Sequence, residues 1–263
     1  VRQSDSWRRV RVGTVERSVL AVDFDFTGRP EANFGDFAEV SDLDHALWQT
    51  VAPRDSARDL LPANEYLDFW AAGVGGRVDA VMGYCVGCVF LPALADRIES
   101  ACGRRPELVL FDPQPVSVAD LHRDFGRIVE LITTLSGPER QRLLIEGGNV
   151  CDAAGDDFPK AATQIVGLYD DAISAAFTRL ALDNAMRAEF TEMFRSYVSY
   201  LAAAARLSAD VDWAAGTALT SQGSSAGAKS ARTEICFPVR PADLLRDARV
   251  ADAVFDLLDA GTE

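Results

Sequence analysis

The sequence predicts an α/β protein with a mostly parallel central sheet and a block of helices inserted into it. Three observations carry that expectation. Apolar runs of strand length alternate with helix-length stretches between residues 19 and 112. Residues 118–207 then hold almost no strand signal, and short strands return between 216 and 239 before an amphipathic stretch closes the chain. Strand–helix–strand alternation of this kind marks parallel strands joined by crossover helices.

In order, "VLAVDFD" (19–25) is apolar enough for a buried strand, and "FTGRPEANF" (26–34) follows as a loop marked by Gly and Pro. "ALWQTV" (46–51) reads as a second strand. Pro62 to Ala72 has Tyr66, Leu67, Trp70 and Ala71 at helical spacing behind a proline, the residue suited to a first helical turn. "VDAVMG" (78–83) reads as a short buried strand. "VGCVFLPALADRIESACG" (86–103) reads as a helix stopped by Gly103, and "ELVLFD" (107–112) as a further strand.

In the middle block, Ile165, Leu168, Tyr169, Ile173 and Phe177 repeat at helical spacing. So do Leu182, Met186, Phe190, Met193, Phe194, Tyr197 and Leu201. These stripes are read as core faces of helices, with the lining of an acyl channel as the competing role. "GTALTSQG" (216–223) and "TEICFPV" (233–239) are the returning strands, separated by the small-residue loop "SQGSSAGAKS". "ADLLRDARVADAVFDLLDAG" (242–261) is the closing helix. One core domain, 1–117 with 208–263, carrying a helical insertion over 118–207, is the expected organisation.

Composition narrows the function classes. The chain has 263 residues, 48% hydrophobic and 25% charged, which is ordinary for a globular protein able to bury a core. A formal charge of −14 argues against nucleic-acid binding, although Arg8, Arg9 and Arg11 form a local basic patch. No run approaches the length of a membrane span, no basic-then-apolar leader opens the chain, and a cytoplasmic protein is expected. Five cysteines at 85, 88, 102, 151 and 236 are too scattered for a disulfide framework. Cys85 and Cys88 lack a second pair at zinc spacing, so no metal is expected.

The chemistry concentrates in Gly83-Tyr84-Cys85-Val86-Gly87. A nucleophile on a sharp strand-to-helix turn needs small neighbours, because strand and helix pass closely there and leave the thiol exposed above the sheet's C-terminal edge. Gly83 and Gly87 provide that room. At a helix N-terminus the Val86 amide is placed to donate to a developing oxyanion, and the dipole favours a thiolate at Cys85. The second oxyanion donor is expected near Phe26 or Thr27, after the first core strand. The competing readings are a Cys85/Cys88 redox pair and a buried core cysteine.

This turn resembles the Gly-Tyr-Ser-x-Gly elbow of the α/β-hydrolase thioesterases that release products from polyketide and nonribosomal-peptide assembly lines. That family carries its acid directly after the next core strand; here "LVLFD" ends in Asp112, 27 residues beyond Cys85 (112 − 85). The resemblance implies an α/β-hydrolase fold with residues 118–207 as its helical lid, and it covers nearly the whole chain. Cysteine in place of serine is similar to the tetramate- and pyridone-forming Dieckmann cyclases, which use a Cys-Asp-His triad to close β-ketoamide chains by carbon–carbon bond formation. The resemblance further implies a substrate carried on the phosphopantetheine of an acyl or peptidyl carrier protein, with no cofactor bound by the chain itself, in antibiotic-type natural-product biosynthesis.

One departure stands out. The family's base is a His just before the final helix, and "VRPADLLRD" has Pro241 there. Only His45 and His122 exist. His45 precedes a strand and reads as a structural residue. His122, shortly after Asp112 on the first inserted helix, is the candidate substitute base. Two rivals follow from the missing His: an acyl-binding or chaperone protein that has lost catalysis, and an editing thioesterase.

Overall fold

The computed structural model describes residues 5–24, 29–181, 183–223 and 225–260. The chain divides into two compact units, one of residues 1–53, 64–115 and 207–263, the other of residues 54–63 and 116–206.

The first unit is built on a seven-stranded sheet. Its strands are β1 (Trp7–Arg11), β2 (Arg17–Val22), β3 (Ala46–Thr50), β4 (Arg77–Tyr84), β5 (Glu107–Phe111), β6 (Thr217–Thr220) and β7 (Thr233–Cys236). They lie in the order β1-β3-β2-β4-β5-β6-β7. All neighbours are parallel except β1, which runs antiparallel along β3. The chain steps from β2 outward to β3 and then crosses to β4 on the other side of β2. The C-terminal ends of β2 and β4 therefore flank a topological switch point, where open α/β sheets bind ligands.

Both faces are covered. On one, Val19, Ala21, Ala80, Met82, Val109 and Phe111 pack with Phe34 and Phe37 of α1 (Phe34–Val40) and Val250, Val254 and Leu258 of α8 (Ala248–Ala260). Residues of opposite parity, such as Leu20, Val81 and Leu110, are equally buried, as the two-residue period of a strand covered on both sides requires. There α3 (Leu91–Cys102) packs on β4 and β5, and Tyr66 and Trp70 of α2 (Ala63–Ala72) meet Phe90 at 6.2 and 5.1 Å between ring centroids.

The second unit consists of α4 (Val118–Leu131), α5 (Gly137–Ala154), α6 (Phe158–Leu180) and α7 (Asn184–Ser208), with a 3₁₀ turn at Arg54–Ala57. Its centre is aromatic: Tyr169 stacks on Phe194 at 3.9 Å, and Phe125 lies 6.2 Å from Phe194. Ile165, Tyr169, Ile173 and Phe177 of the first expected stripe are buried. The second stripe is buried only in its C-terminal half. Phe194 and Leu201 are buried while Met186 and Phe190 are exposed, and Leu182 lies outside the described residues. Among the described residues no helix is long and apolar enough to cross a membrane.

Four expectations about elements change, and one strand is added to them. The Arg-rich segment 7–11 is a strand, because Trp7 is buried against the sheet while Arg8 bonds the Gln49 side chain and Arg9 lies over the Trp48 ring. The strand expected over 19–25 ends at Val22, and Asp25 is outside the described residues. Of the loop expected over 26–34, residues 26–28 lie outside the described residues and Phe34 already opens α1, started by Asn33: its side chain accepts from the Gly35 and Asp36 amides, and Asp36 accepts from the Asn33 amide in return. A seven-residue helix is too short to persist alone. Burial of Phe34 and Phe37 edge-on to Phe111 holds it, each contributing about 1.5–3 kcal/mol.

The helix expected from residue 86 begins instead as a 3₁₀ turn over Cys85–Phe90, and α3 starts at Leu91. Pro92 explains the switch. An α-helix running through 88–92 needs a residue-92 amide for the Cys88 carbonyl, and proline has none. That carbonyl accepts the Leu91 amide and the Trp213 indole (2.9 Å) instead. Gly103, at φ 75°, ends the helix as expected. The closing helix also divides, into a 3₁₀ turn over Pro241–Arg246 and α8, because Asp247 takes the cap position and its side chain accepts the Arg249 amide at 3.0 Å.

Candidate active site

Cys85 leaves the C-terminal end of β4, and Asp112 the end of β5. Their predecessors Tyr84 and Phe111 are register partners, so the two residues emerge side by side from adjacent strands. Both have left-handed backbones, at φ 51° and 44°. Among the described residues the only other non-glycine in that region is Ala181, which caps α6. Such conformations cost on the order of 1–3 kcal/mol and persist where the surroundings impose them, commonly at functional sites.

The surroundings of Cys85 are tight. A Cβ on Gly83 would lie 2.7 Å from the Cys88 nitrogen and 2.8 Å from the Gly87 carbonyl carbon, so only glycine lets the turn fold back over the strand. The Cys88 thiol is fully buried and donates to the Gly83 carbonyl at 3.0 Å. Burial, then the neighbouring Cys85, pushes the Cys88 pKa well up. Cys88 thus fastens the turn and is shut off from solvent, which disfavours the redox-pair reading. Cys85 is partly exposed. Its thiol donates to Gln114 Oε1 at 3.9 Å. The Val86 amide belongs to the first turn of the 3₁₀ segment, whose leading N–H groups have no acceptor within it.

The Asp112 amide donates to the Leu219 carbonyl (3.1 Å), and its Oδ1 accepts the Ser221 amide at 2.8 Å. Its Oδ2 is buried and, among the described residues, has no hydrogen-bond partner. Burial raises the Asp112 pKa, and the Ser221 hydrogen bonds pull against that rise. The carboxylate is therefore held through one oxygen with the other left to receive a donor.

His45 is placed at the opposite edge of the sheet. It precedes β3, and its Nε2 lies 3.0 Å from Asp79 Oδ2 near the start of β4. Six residue steps along the strand separate Asp79 from Cys85, roughly 20 Å at the rise of an extended chain. His45 belongs instead to a cluster in which Arg17, Arg77 and Arg104 surround Asp79 at 3.3, 2.6 and 3.7 Å. Burial opposes the Asp79 charge, but Arg77 and His45 prevail and lower its pKa. His122 lies on α4 in the helical unit, exposed and alongside Gly148 of α5. Thr27 and Phe26 lie outside the described residues.

Pro241 is brought to the elbow. The Tyr84 hydroxyl, next to Cys85, donates to the Pro241 carbonyl at 3.4 Å, and the Ala242 carbonyl accepts the Ala32 amide at 2.9 Å. The loop after β2 therefore reaches the same corner. There Arg29 forms a two-pronged ion pair with Asp23 (2.9 and 2.6 Å) and lies 5.3 Å over the Tyr84 ring.

Comparison with solved structures bears on this arrangement. The Vlm2 thioesterase domain, carrying a genetically encoded 2,3-diaminopropionic acid and bound with a dodecadepsipeptide, matches with a TM-score of 0.51 at 15% identity, over 97% of this chain and 96% of its own. The NocB thioesterase domain from the nocardicin cluster matches at 0.50 and 12%, over 97% and 100%. AB3403, a four-domain nonribosomal peptide synthetase bound to AMP and glycine, matches at 0.52 and 16% over 98% of this chain, which spans 20% of that protein. The chain has an α/β-hydrolase fold. Identities this low establish the fold alone. A scan against protein-family models and a search of curated proteins each gave no match.

Within this hydrolase fold, sequence reasoning missed Gln114, Ser221 and the Asp23–Arg29 pair, which no motif signals, and it gave Tyr84 of the elbow motif no role of its own. Ser221 and Gln114 act through contacts set by β6 and by the loop after β5, 109 and 29 residues from their partners in sequence.

Proposed function

We propose that the chain is a thioesterase-like acyl-transfer enzyme with Cys85 as its nucleophile, acting on a polyketide or peptide thioester held on the phosphopantetheine of a carrier protein. The observation that carries the reading is the pair of left-handed residues, Cys85 and Asp112, leaving the adjacent strands β4 and β5, the first of which flanks the sheet's switch point. The likeness to thioesterase domains, one of them holding a depsipeptide, supports it.

In this reading the Cys85 thiolate attacks the thioester carbonyl. A carbon–sulfur bond forms to Cys85, the bond to the phosphopantetheine sulfur breaks, and that sulfur takes a proton from solvent. The Val86 amide and a donor from the loop after β2, at Thr27, receive the transient oxyanion. Release then follows Dieckmann chemistry. The chain's own α-carbon loses a proton, attacks the acyl-Cys85 carbonyl and displaces the Cys85 sulfur, which is reprotonated. Asp112, and His122 as the remaining imidazole, are the proposed proton acceptors. A thioester favours this course, because its α-protons are more acidic than those of an oxyester.

The absence of a histidine at position 241 favours a second reading, a binding protein that holds acyl chains without releasing them. Presentation of a β-ketoamide chain on a carrier protein decides between them. The expected product is a cyclised chain and a free carrier thiol. Release of the linear acid alone indicates an editing thioesterase, and an intact loaded carrier after prolonged incubation indicates a binder.

A further inference from the structure

We infer that Gln114 is the catalytic partner of the Cys85 sulfur: its side-chain amide follows the sulfur through both protonation states, stabilising the thiolate without supplying a base for water. The role builds on the acyl-thioester reading above, but its test does not.

The Cys85 thiol points at the Gln114 amide, 3.9 Å from Oε1. A closed set of contacts holds Gln114 there. Its backbone N–H donates to the Cys85 carbonyl at 3.4 Å, and the carbonyl of the preceding Pro113 accepts the Gly227 amide at 3.1 Å. Gly227 is wedged against Trp213, where a Cβ would lie 2.1 Å from the indole ring and 2.6 Å from the Pro113 oxygen. The Trp213 indole in turn donates to the Cys88 carbonyl, one turn beyond Cys85. The loop carrying Gln114 and the turn carrying Cys85 are thereby fixed to each other. Pro113 and Pro115 on either side of Gln114 restrict the backbone further.

An amide suits this position chemically. Its oxygen accepts the S–H of a thiol, and a half-turn about Cγ–Cδ presents an N–H to a thiolate in the same space. The bond to the ion is the stronger, since charge-assisted hydrogen bonds are roughly twice as strong as neutral ones. Gln114 therefore favours ionised sulfur. Unlike imidazole, an amide does not take up a proton at neutral pH, so it gives no help to water attacking an acyl-Cys85. Gln114 itself thus adds no base for hydrolysis of an acyl-Cys85.

The test is the pH dependence of Cys85 alkylation by iodoacetamide, followed peptide by peptide so that the exposed Cys102 and Cys236 serve as internal references. Gln114→Met keeps the length and removes the donor. Its Cys85 labelling midpoint is expected to rise by about one pH unit. Gln114→Glu, whose carboxylate repels a thiolate, is expected to raise it further. Protection of the buried Cys88 and Cys151 reports that each variant is folded; if Gln114→Met loses it, the isosteric Gln114→Glu alone decides. Equal midpoints in the wild type and the folded variants overturn the inference. Shifted midpoints in a protein that no acyl thioester modifies would leave the inference standing and remove the proposed function instead.

Discussion

Pro241→His should raise hydrolysis of a simple acyl thioester by roughly 10²–10⁴-fold, the usual contribution of a positioned general base. The site is prepared for it. Pro241 is tied to the elbow through Tyr84, and Asp112 keeps one buried oxygen without a partner among the described residues, where an imidazole N–H would be oriented. That oxygen is difficult to explain in a protein with no use for it, because an unpaired buried acceptor is costly. Initial rates with a short-chain acyl thioester are the measurement. No gain in a folded variant would mean that residue 241 does not reach Cys85, or that His122 already serves. The double variant Pro241→His/His122→Ala separates these. If His122 is the working base, His122→Ala alone stops turnover and the new histidine restores part of it.

Gly83→Ala should unseat the nucleophile. The added methyl would meet backbone atoms of Cys88 and Gly87 at 2.7 and 2.8 Å, and backbone cannot swing aside as a side-chain end can. Overpacking of this kind costs about 1–3 kcal/mol and occasionally more. For a chain of this size that lowers the melting temperature by roughly 3–10 °C. The loss should be local as well as global. The Cys88–Gly83 bond that fastens the turn would be displaced, so Cys88 should become open to alkylation. Thermal unfolding followed by circular dichroism, with thiol mapping below the transition, checks both. An unchanged melting temperature with Cys88 still protected would show that the turn has slack its geometry denies.

How much of this was legible in the sequence depended on whether the signal was local. The elbow was, because Gly83 and Gly87 flank Cys85 and the turn folds back over Gly83 too closely for any side chain. Asp112 was, because it directly follows a strand of apolar residues. The strands β2 to β5 followed from apolar runs of strand length, and the stripe from Ile165 to Phe177 from its helical period. β1 was hidden because three of its five residues are arginines whose partners, among them Gln49 and Trp48, lie about 40 residues away. α1 was hidden behind Gly28 and Pro30, although Asn33 and Asp36 form a readable cap. The 3₁₀ turn after Cys85 depended on Pro92, and on Trp213 accepting the role of donor to a carbonyl far upstream. Gln114 was beyond reach, since its importance lies in a contact across the loop after β5 and not in any pattern around it.

The central claim is that Cys85 becomes acylated. Intact-protein mass spectrometry after mixing with an acyl-pantetheine thioester tests it most directly, with wild type beside Cys85→Ala. The account predicts one added acyl group on the wild type, mapped to Cys85 by peptide sequencing and released by hydroxylamine, and none on Cys85→Ala. Equal acylation of both proteins, or an unmodified wild type under conditions where its thiols still alkylate, would contradict it.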